Sequence, residues 1–517
     1  MSELGFWKYA AEHPDSVAVI ESDGSKTSAG ELLQGANQVV HGLRALGLQA
    51  GDCVAMALPN SAPVLELFMA IAQSGLYLVP VNWHLTAPEI AYILRDSQTK
   101  AFVGSAAIAE TCAAAARSAE LAADACFSLG PIPGFRPYSE LKEAQPSTTP
   151  DNRSAGAPMT YTSGTTGNPK GVRRPLPPVS PELVSSQQAM FLMLFGIMPG
   201  SAGVHLVGAP LYHTAVLNFA TNHLHLGHTL VLMEKWTPEG MLELIERQRV
   251  TSSHMVPTQF NRLLKLPEAV KKQHDVSSLS HVIHSAAPCP VDTKRRMLEW
   301  WGPCIYEYYA ASEGGGTLAT PEQWLKKPGT VGAPWPISQI RILDDQHQPL
   351  PPGAVGTVWI KMGDHRFEYH RDSKKTGDAW RDGFFTVGDA GYLDEDGFLF
   401  LSDRKADMII SGGVNIYPAE IESAFVGHPK IADVAVFGIP NDDWGEEVKA
   451  VVQPAAGVSP GPELEAELRE YASERLAKYK LPRTIDFIGE MPRDPNGKLY
   501  KRKLRDPYWE GRATAIV

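Results

Sequence analysis

"GELLQGANQVVHGLRALGLQAGDCVAMALP", Gly30–Pro59, changes its apolar period part-way along, and that change sets the fold class. Leu32, Leu33, Val39, Val40, Leu43 and Leu46 recur at the three-to-four-residue spacing of one helix face. "DCVAMALP" is then apolar at nearly every position, the signature of a strand covered on both sides. The pair repeats at once: "VLELFMAIAQSG" reads as helix and "LYLVPVN" as strand. Helix alternating with continuously apolar strand predicts an α/β fold, a mainly parallel sheet with helices on both faces.

Working outward, the same rhythm returns at "HTLVLM" before "TPEGMLELIERQRV" and at "HVIHSAA" before "DTKRRMLEWWG". Such units fill roughly the first 400 residues with no fixed-period repeat. Around "GAVGTVWIKM" and "GFLFLSDR" short strands separated by Gly, Asp and Pro turns predict antiparallel structure, a β-rich subdomain. Beyond "DRKADMIISGGVNIYP" the order is helix "AEIESAFVGH", strands "ADVAVFGIP" and "EVKAVVQP", then helix "PELEAELREYASERLAKY". We therefore divide the chain into a large N-terminal domain, 1–403, a hinge, 404–407, and a small mobile α+β C-terminal domain, 408–517. A small cap on one short hinge can close over a site and reopen.

At 517 residues the chain exceeds what one hydrophobic core supports. Apolar residues at 44% and charged residues at 20% exclude disorder, and a net charge of −11 argues against a nucleic-acid binder. The five cysteines are scattered without a C-x-x-C pair, so neither a disulfide framework nor a structural zinc site is expected, and a reducing, cytoplasmic setting is. The N-terminus shows no secretory pattern, and the longest apolar run, Ala189–Met198, is too short to span a bilayer and is expected as buried helix.

"YTSGTTGNPKGV", Tyr161–Val172, follows the apolar "APMTY", which reads as a short strand. Its glycines allow sharp turns that bring N–H groups towards an anion, its hydroxyls donate, and Lys170 adds a point charge. It is not a Walker loop, because Pro169 precedes the lysine and Gly171 follows it. As an ordered string it resembles the signature loop of the adenylate-forming superfamily, which includes acyl-CoA synthetases, adenylation domains of peptide synthetases and beetle luciferases. The resemblance implies that Thr162, Ser163, Gly164, Thr165, Thr166, Gly167 and Lys170 enclose the phosphates of ATP.

Further strings match that family in order, over nearly the whole chain. "YYAASEGG", Tyr308–Gly315, resembles its Tyr-Gly-x-Thr-Glu segment, with Ala310 for Gly and Ser312 for Thr. By resemblance Glu313, with Thr165, holds Mg²⁺ against the phosphates, while Glu307, Tyr308, Tyr309 and Ser312 contact the nucleotide. "HSAAPCP" resembles the small-residue lining of the adenine pocket and implies Ser285, Ala286, Ala287 and Pro288. Asp389, in "FFTVGDAGYLDEDGFLFLSDRKADMIISGGVNIYPAEIE", is expected to accept from both ribose hydroxyls, and Arg404, fifteen positions on, to add a second contact. "MPRDPNGKLYKRKLRD" resembles the segment carrying the catalytic lysine, here Lys498, which stabilises charge as a carboxylate attacks the α-phosphorus.

"APLYHTAVLNF" lies where the family shapes its acyl pocket and offers no carboxylate for an amino-acid ammonium, so an apolar acid is expected. His213 is the candidate gate beside the reacting carboxylate, and Thr214, Met255, Val256, Phe260 and Ala310 are the candidate pocket walls. "SGGVNIYPAEIE" resembles the hairpin lining the pantetheine tunnel, implying Ser411, Gly412 and Gly413 for coenzyme A. No carrier-protein module follows before "WEGRATAIV", which favours a diffusible acceptor; the partners are then small molecules, with room for a homodimer. Two departures stand out: Ala406 replaces the family's hinge Asp or Lys, and "RRPLPP" replaces its usual Thr-His continuation. The rivals are an enzyme that stops at the adenylate or hands it to a carrier protein, a luciferase, disfavoured without a C-terminal peroxisomal tripeptide, and a non-catalytic nucleotide-binding protein.

Overall fold

The computed structural model describes residues 4–162, 169–199, 202–287, 289–404, 407–411, 414–441, 444–494, 497 and 499–510, without the side chains of Asp403, Arg404 and Asn415. The opening stretch folds as read. Ala29–Ala45 is a helix begun by a capping box, in which Ser28 Oγ accepts from Glu31 N at 3.1 Å and Glu31 Oε2 from Ser28 N at 2.7 Å. Leu32, Val39, Val40 and Leu43 are buried, and Leu33 and Leu46 pack at the margin. Cys53–Ala57 follows as a strand with every residue buried.

Among the described residues that strand sits inside a six-stranded, wholly parallel sheet running from Arg136–Pro137 to Ala157–Pro158. A second sheet, nine-stranded, is parallel through its centre, where Thr229–Leu232, Val204–Val207, Ser252–Met255, His281–His284 and Ile305–Ala311 lie in spatial order. Asn60 ties the first sheet to the second: its amide donates to the Ala209 carbonyl at 2.9 Å and its oxygen accepts from Leu211 N at 2.8 Å. This bond set fixes the start of the segment that carries His213.

Antiparallel pairing begins earlier than the turn residues suggest. Ile305–Ala311 reverses through only Ser312 and Glu313 into Gly314–Ala319, so Glu313 stands at a hairpin tip. A six-stranded antiparallel sheet then carries Gly356–Met362, Asp389–Leu393 and Leu399–Arg404. The apolar "APMTY" is not one strand. Ala157–Pro158 joins the parallel sheet, whereas Thr160–Thr162 pairs antiparallel with Lys170–Arg173, because Pro158 interrupts the ladder's donors.

The C-terminal region has its own core, drawn from Ile409 to Ile485 and including Phe425, Val436, Val452 and Leu468. Its last long helix, Pro462–Ser473, is six residues shorter than the apolar spacing suggests. The N–H groups of Arg475 and Leu476 both turn back to the Ala472 carbonyl, which ends the helix and lets Leu476 and Leu481 pack on this core. The run Ala189–Met198 also differs from expectation. Its helix, Pro181–Met193, stops early, and Met190 and Met198 are 56% and 54% exposed while Ala189, Leu192, Phe195 and Ile197 are buried. No helix among the described residues is long and apolar enough to cross a membrane.

Candidate functional site

The expected phosphate loop spans the tip between two antiparallel strands, Thr160–Thr162 and Lys170–Arg173, with Thr162 opposite Lys170. A hairpin, and not the strand-to-helix junction of a Walker loop, therefore presents it. Ser163, Gly164, Thr165, Thr166 and Gly167 lie outside the described residues. The Lys170 ammonium pairs with Asp372, whose other oxygen caps the helix Ser373–Ala379 through Lys375 N at 3.0 Å. Hydrogen bonding to Lys170 is the chief reason the Asp372 carboxyl lies below its usual range.

Four residues after Lys170, the unusual Arg174 reaches the hairpin tip. Its Nε donates to His365 Nε2 at 3.1 Å and a terminal nitrogen to the Ser312 carbonyl. Burial lowers the guanidinium's pKa and the nearby Glu313 charge opposes this, so the two partly neutralise each other at the tip. Glu313 is 6% exposed, with Oε1 accepting from the Tyr369 hydroxyl at 2.8 Å. Ser312 Oγ lies 3.0 Å from Thr214 Oγ1, joining this tip to the start of the helix Thr214–His225, where His213 is the N-cap residue.

Asp389 and Arg404, the residues expected at the ribose, are directly opposite in the antiparallel pair Asp389–Leu393 and Leu399–Arg404, so fifteen residues of separation become one cross-strand step. The Arg404 side chain lies outside the described residues. Asp389 Oδ2 accepts from the Tyr309 hydroxyl at 2.6 Å. Ser285, Ala286 and Ala287, expected at the adenine, follow the strand His281–His284, and Ala286 adopts φ 73°. That left-handed backbone is uncommon for alanine and costs about 1 kcal/mol, a strain typical of binding loops. Pro288 lies outside the described residues.

Three expected contacts are placed elsewhere. Glu307 is buried against Lys294 Nζ at 2.8 Å and His284 Nε2 at 3.4 Å, which together hold its pKa near 2 against burial. Its carboxylate is engaged with the helix Val291–Trp301, on the other side of the strand from Tyr308. Met255 and Phe260 are fully buried in the core beneath the second sheet, with Leu263, Met297 and Trp301. Strand alternation turns Met255 away and sends its neighbour His254 to the opposite face. There His254 Nε2 lies 3.2 Å from Tyr308 Oη and 3.3 Å from Ser285 Oγ, and burial drives its pKa down to about 3. Val256 is buried at the mouth of the helix Pro257–Leu264, and Ala310 packs on the aromatic cluster around Tyr308.

The C-terminal region rests on the same helix. Lys265 Nζ donates to the Ala432 carbonyl at 2.9 Å. Gly497, at φ 80°, stands so close to Thr258 that a Cβ would be 2.7 Å from its hydroxyl. Arg493 grips Asp433 with two nitrogens and donates to the Gly497 carbonyl at 2.6 Å, bracing this turn. Lys498 itself lies outside the described residues, as do Ala406, Gly412 and Gly413. Ser411 pairs with Val414 across the last two, so they connect the hairpin strands Ile409–Ser411 and Val414–Ile416.

Residues 6–365 match the AMP-binding enzyme family and residues 420–498 match the AMP-binding enzyme C-terminal domain. The chain belongs to the AMP-binding enzyme family. It thereby falls in the adenylate-forming superfamily. It is 32% identical over 519 residues to a fatty acid–[acyl-carrier-protein] ligase, ScoC, of Streptomyces coeruleorubidus, spanning 98% of this chain and 96% of the relative. It is 33% identical over 509 residues to a feruloyl-CoA synthase of an Amycolatopsis species, at 97% and 98% coverage. Among solved structures, the amide bond synthetase McbA of Marinactinospora thermotolerans superposes with a TM-score of 0.82 at 28% identity, covering 97% of this chain and 99% of that one.

Within this AMP-binding enzyme, Arg174, His365 and Tyr369 join this cluster without having been singled out by the motifs, although Arg174 belongs to the departure after the loop. His254 opens the segment His254–Phe260 that the sequence marks as a largely apolar wall, but its contact with Tyr308 and Ser285 is made only by the pairing of distant strands.

Proposed function

We propose that this chain activates an apolar carboxylic acid with ATP and transfers it to coenzyme A. A substrate carboxylate oxygen attacks the α-phosphorus, pyrophosphate leaves, and an acyl-adenylate forms. The thiolate of coenzyme A then attacks the acyl carbon and AMP departs. The observation that carries this reading is the convergence of Thr214, Ser312 and Glu313 at one hairpin tip with the Tyr309–Asp389 pair on the adjoining strand.

In this reading Thr162, Ser163, Gly164, Thr165, Thr166, Gly167 and Lys170 surround the phosphates, Ser285, Ala286, Ala287 and Pro288 line the adenine, and Asp389 with Arg404 holds the ribose. Lys498 stabilises charge at the α-phosphorus, and the turn of Gly497 against Thr258 supports its delivery there. His213 gates the reacting carboxylate, and Ser411, Gly412 and Gly413 line the coenzyme A path after the 408–517 domain rotates about 404–407. The separate core between Ile409 and Ile485 supports that division.

Glu313 suits Mg²⁺: Tyr369 holds one carboxylate oxygen and orients the other, and no cluster of three or more His, Cys, Asp or Glu among the described residues competes for a metal. One carboxylate plus substrate phosphates is how this cation is usually held, and there it neutralises phosphate charge. The substrates are diffusible small molecules, and the setting we propose is the cytoplasm.

The test is acid-dependent ATP–pyrophosphate exchange, followed by AMP release with coenzyme A. Lys498→Ala abolishes exchange while leaving ATP binding nearly intact; exchange at the parental rate in that variant would remove Lys498 from its role. The likeness to a carrier-protein ligase supports a second reading, in which the adenylate passes to a carrier. AMP release dependent on an added carrier protein, and not on coenzyme A, would favour it.

A further inference from the structure

Asp372 organises two lysines. Its Oδ2 takes the Lys170 ammonium, and its Oδ1 accepts from the backbone N–H of Lys375 at 3.0 Å, in the first turn of the helix Ser373–Ala379. The segment leading into this helix is pinned to the hairpin that carries Lys170. Tyr369 lies opposite Val172 in the pairing of Glu368–Tyr369 with Lys170–Arg173, and His370 N donates to the Gly171 carbonyl at 2.8 Å. Thr376 closes the turn: its hydroxyl accepts from Tyr369 N at 2.9 Å and donates to the Asp372 carbonyl at 2.8 Å. Lys375 is thereby held beside Lys170, although the two are far apart in the chain.

The Lys375 side chain folds back over Tyr369, with Nζ 4.8 Å from the ring centroid. The hydroxyl of the same ring donates to Glu313 Oε1 at 2.8 Å, so one tyrosine carries a cation on its face and the candidate Mg²⁺ carboxylate at its edge. Lys375 is half-buried, and among the described residues no carboxylate pairs with its ammonium. Burial lowers its pKa, the Lys170 charge lowers it further, and Glu313 and Asp372 oppose that. Two ammonium groups within reach of each other's charge thus share one neighbouring aspartate, which Lys170 occupies. An anion with several charged oxygens relieves that repulsion and supplies the acceptors Lys375 lacks.

We infer that Lys375 is a further phosphate-binding residue, whose ammonium joins Lys170 on the β- and γ-phosphates of ATP, the part that leaves as pyrophosphate. This rests on the acid-activating reading above, in which Lys170 and Glu313 attend those phosphates, and adds a cation that none of the family-like strings contains. AMP lacks both phosphates, so the contact discriminates between the nucleotide that enters and the one that departs. An exposed lysine acting only through the general field of the surface does not discriminate in this way, because such charges contribute little and are screened by salt.

The experiment titrates the full chain with ATP, AMP and inorganic pyrophosphate in turn, by calorimetry at fixed ionic strength with Mg²⁺ present and no acid. Lys375→Met and Lys375→Gln are each expected to weaken ATP and pyrophosphate about tenfold, by loss of one charge-assisted hydrogen bond, and AMP by less than about twofold. Lys374→Met removes the same charge from the exposed neighbouring position and is expected to change all three by less than about twofold. Thermal unfolding checks that each variant is folded; if one Lys375 variant is not, the other decides, and if neither folds Lys375 is structural and the inference is overturned. Equal weakening of AMP and ATP in the folded variants, no weakening of ATP, or the same loss in Lys374→Met also overturns it and leaves acid activation standing. A parental chain that binds none of the three ligands overturns acid activation and this inference together.

Discussion

Lowering the pH from 7.5 to 5.5 should strip a large share of the stability from the N-terminal region, because at least four histidines are buried there in neutral form. His205, His225, His228 and His254 are each 1–2% exposed. Burial lowers their pKa values from 6.5 to about 3, 3, 4 and 3, with neighbouring histidine charges deepening the shift at His205. Their partners reinforce neutrality. Ser252 Oγ sits 2.9 Å from His205 Nδ1, Phe6 N donates to His225 Nδ1 at 3.2 Å, and His228 Nδ1 faces His223 Nδ1 at 2.9 Å. Above pH 6.5 these rings are neutral folded or unfolded and contribute no pH dependence. Below it the unfolded chain takes up protons that the folded one refuses until about pH 3 to 4, so stability falls as pH drops through 6.5.

At about 1.4 kcal/mol per pH unit for each group, four such groups cost on the order of 5 kcal/mol by pH 5.5. That is a large share of the 5–15 kcal/mol typical of a domain. Glu307, held near pKa 2, stays ionised in this window and does not offset the loss. Urea unfolding followed by tryptophan fluorescence reports mainly on this region, since only Trp444 and Trp509 of eleven tryptophans lie beyond residue 408. The midpoint should fall steeply between pH 6.5 and 5.5. A loss below about 1.5 kcal/mol between pH 7.5 and 5.5, little more than one such histidine supplies, would refute the reasoning.

Two further outcomes follow from the ion pairs and hydrogen bonds of the site. Glu307→Gln leaves the fully buried Lys294 ammonium without its carboxylate and should destabilise by about 3–5 kcal/mol, with Lys294→Met/Glu307→Met recovering much of it. Chemical denaturation measures this, and a loss of ATP affinity without loss of stability would return Glu307 to the nucleotide. Tyr309→Phe removes the 2.6 Å bond that orients Asp389 and should raise the KM for ATP in pyrophosphate exchange by about three- to tenfold, equivalent to about 1 kcal/mol. Asp389→Ala should raise it further, and an unchanged KM in both variants would dissociate this pair from ATP.

The amino-acid sequence by itself determined the architecture and the inventory of chemistry. Periodicity switches such as that across Gly30–Pro59 report burial on one face or two, a property local to each segment, and ordered strings such as Tyr161–Val172 carry the family likeness residue by residue. What faces what was decided only in three dimensions. In Ser252–Met255 every side chain is buried, so hydropathy cannot tell that Met255 enters the core while His254 meets Tyr308 and Ser285. Glu307 and Tyr308 are neighbours in the chain yet serve opposite sides of one strand. Asp389 and Arg404 become cross-strand partners, and Arg174 reaches Ser312, through pairings between segments far apart in sequence. Register and face are set by those distant partners, and a strand buried on both sides holds no local record of either.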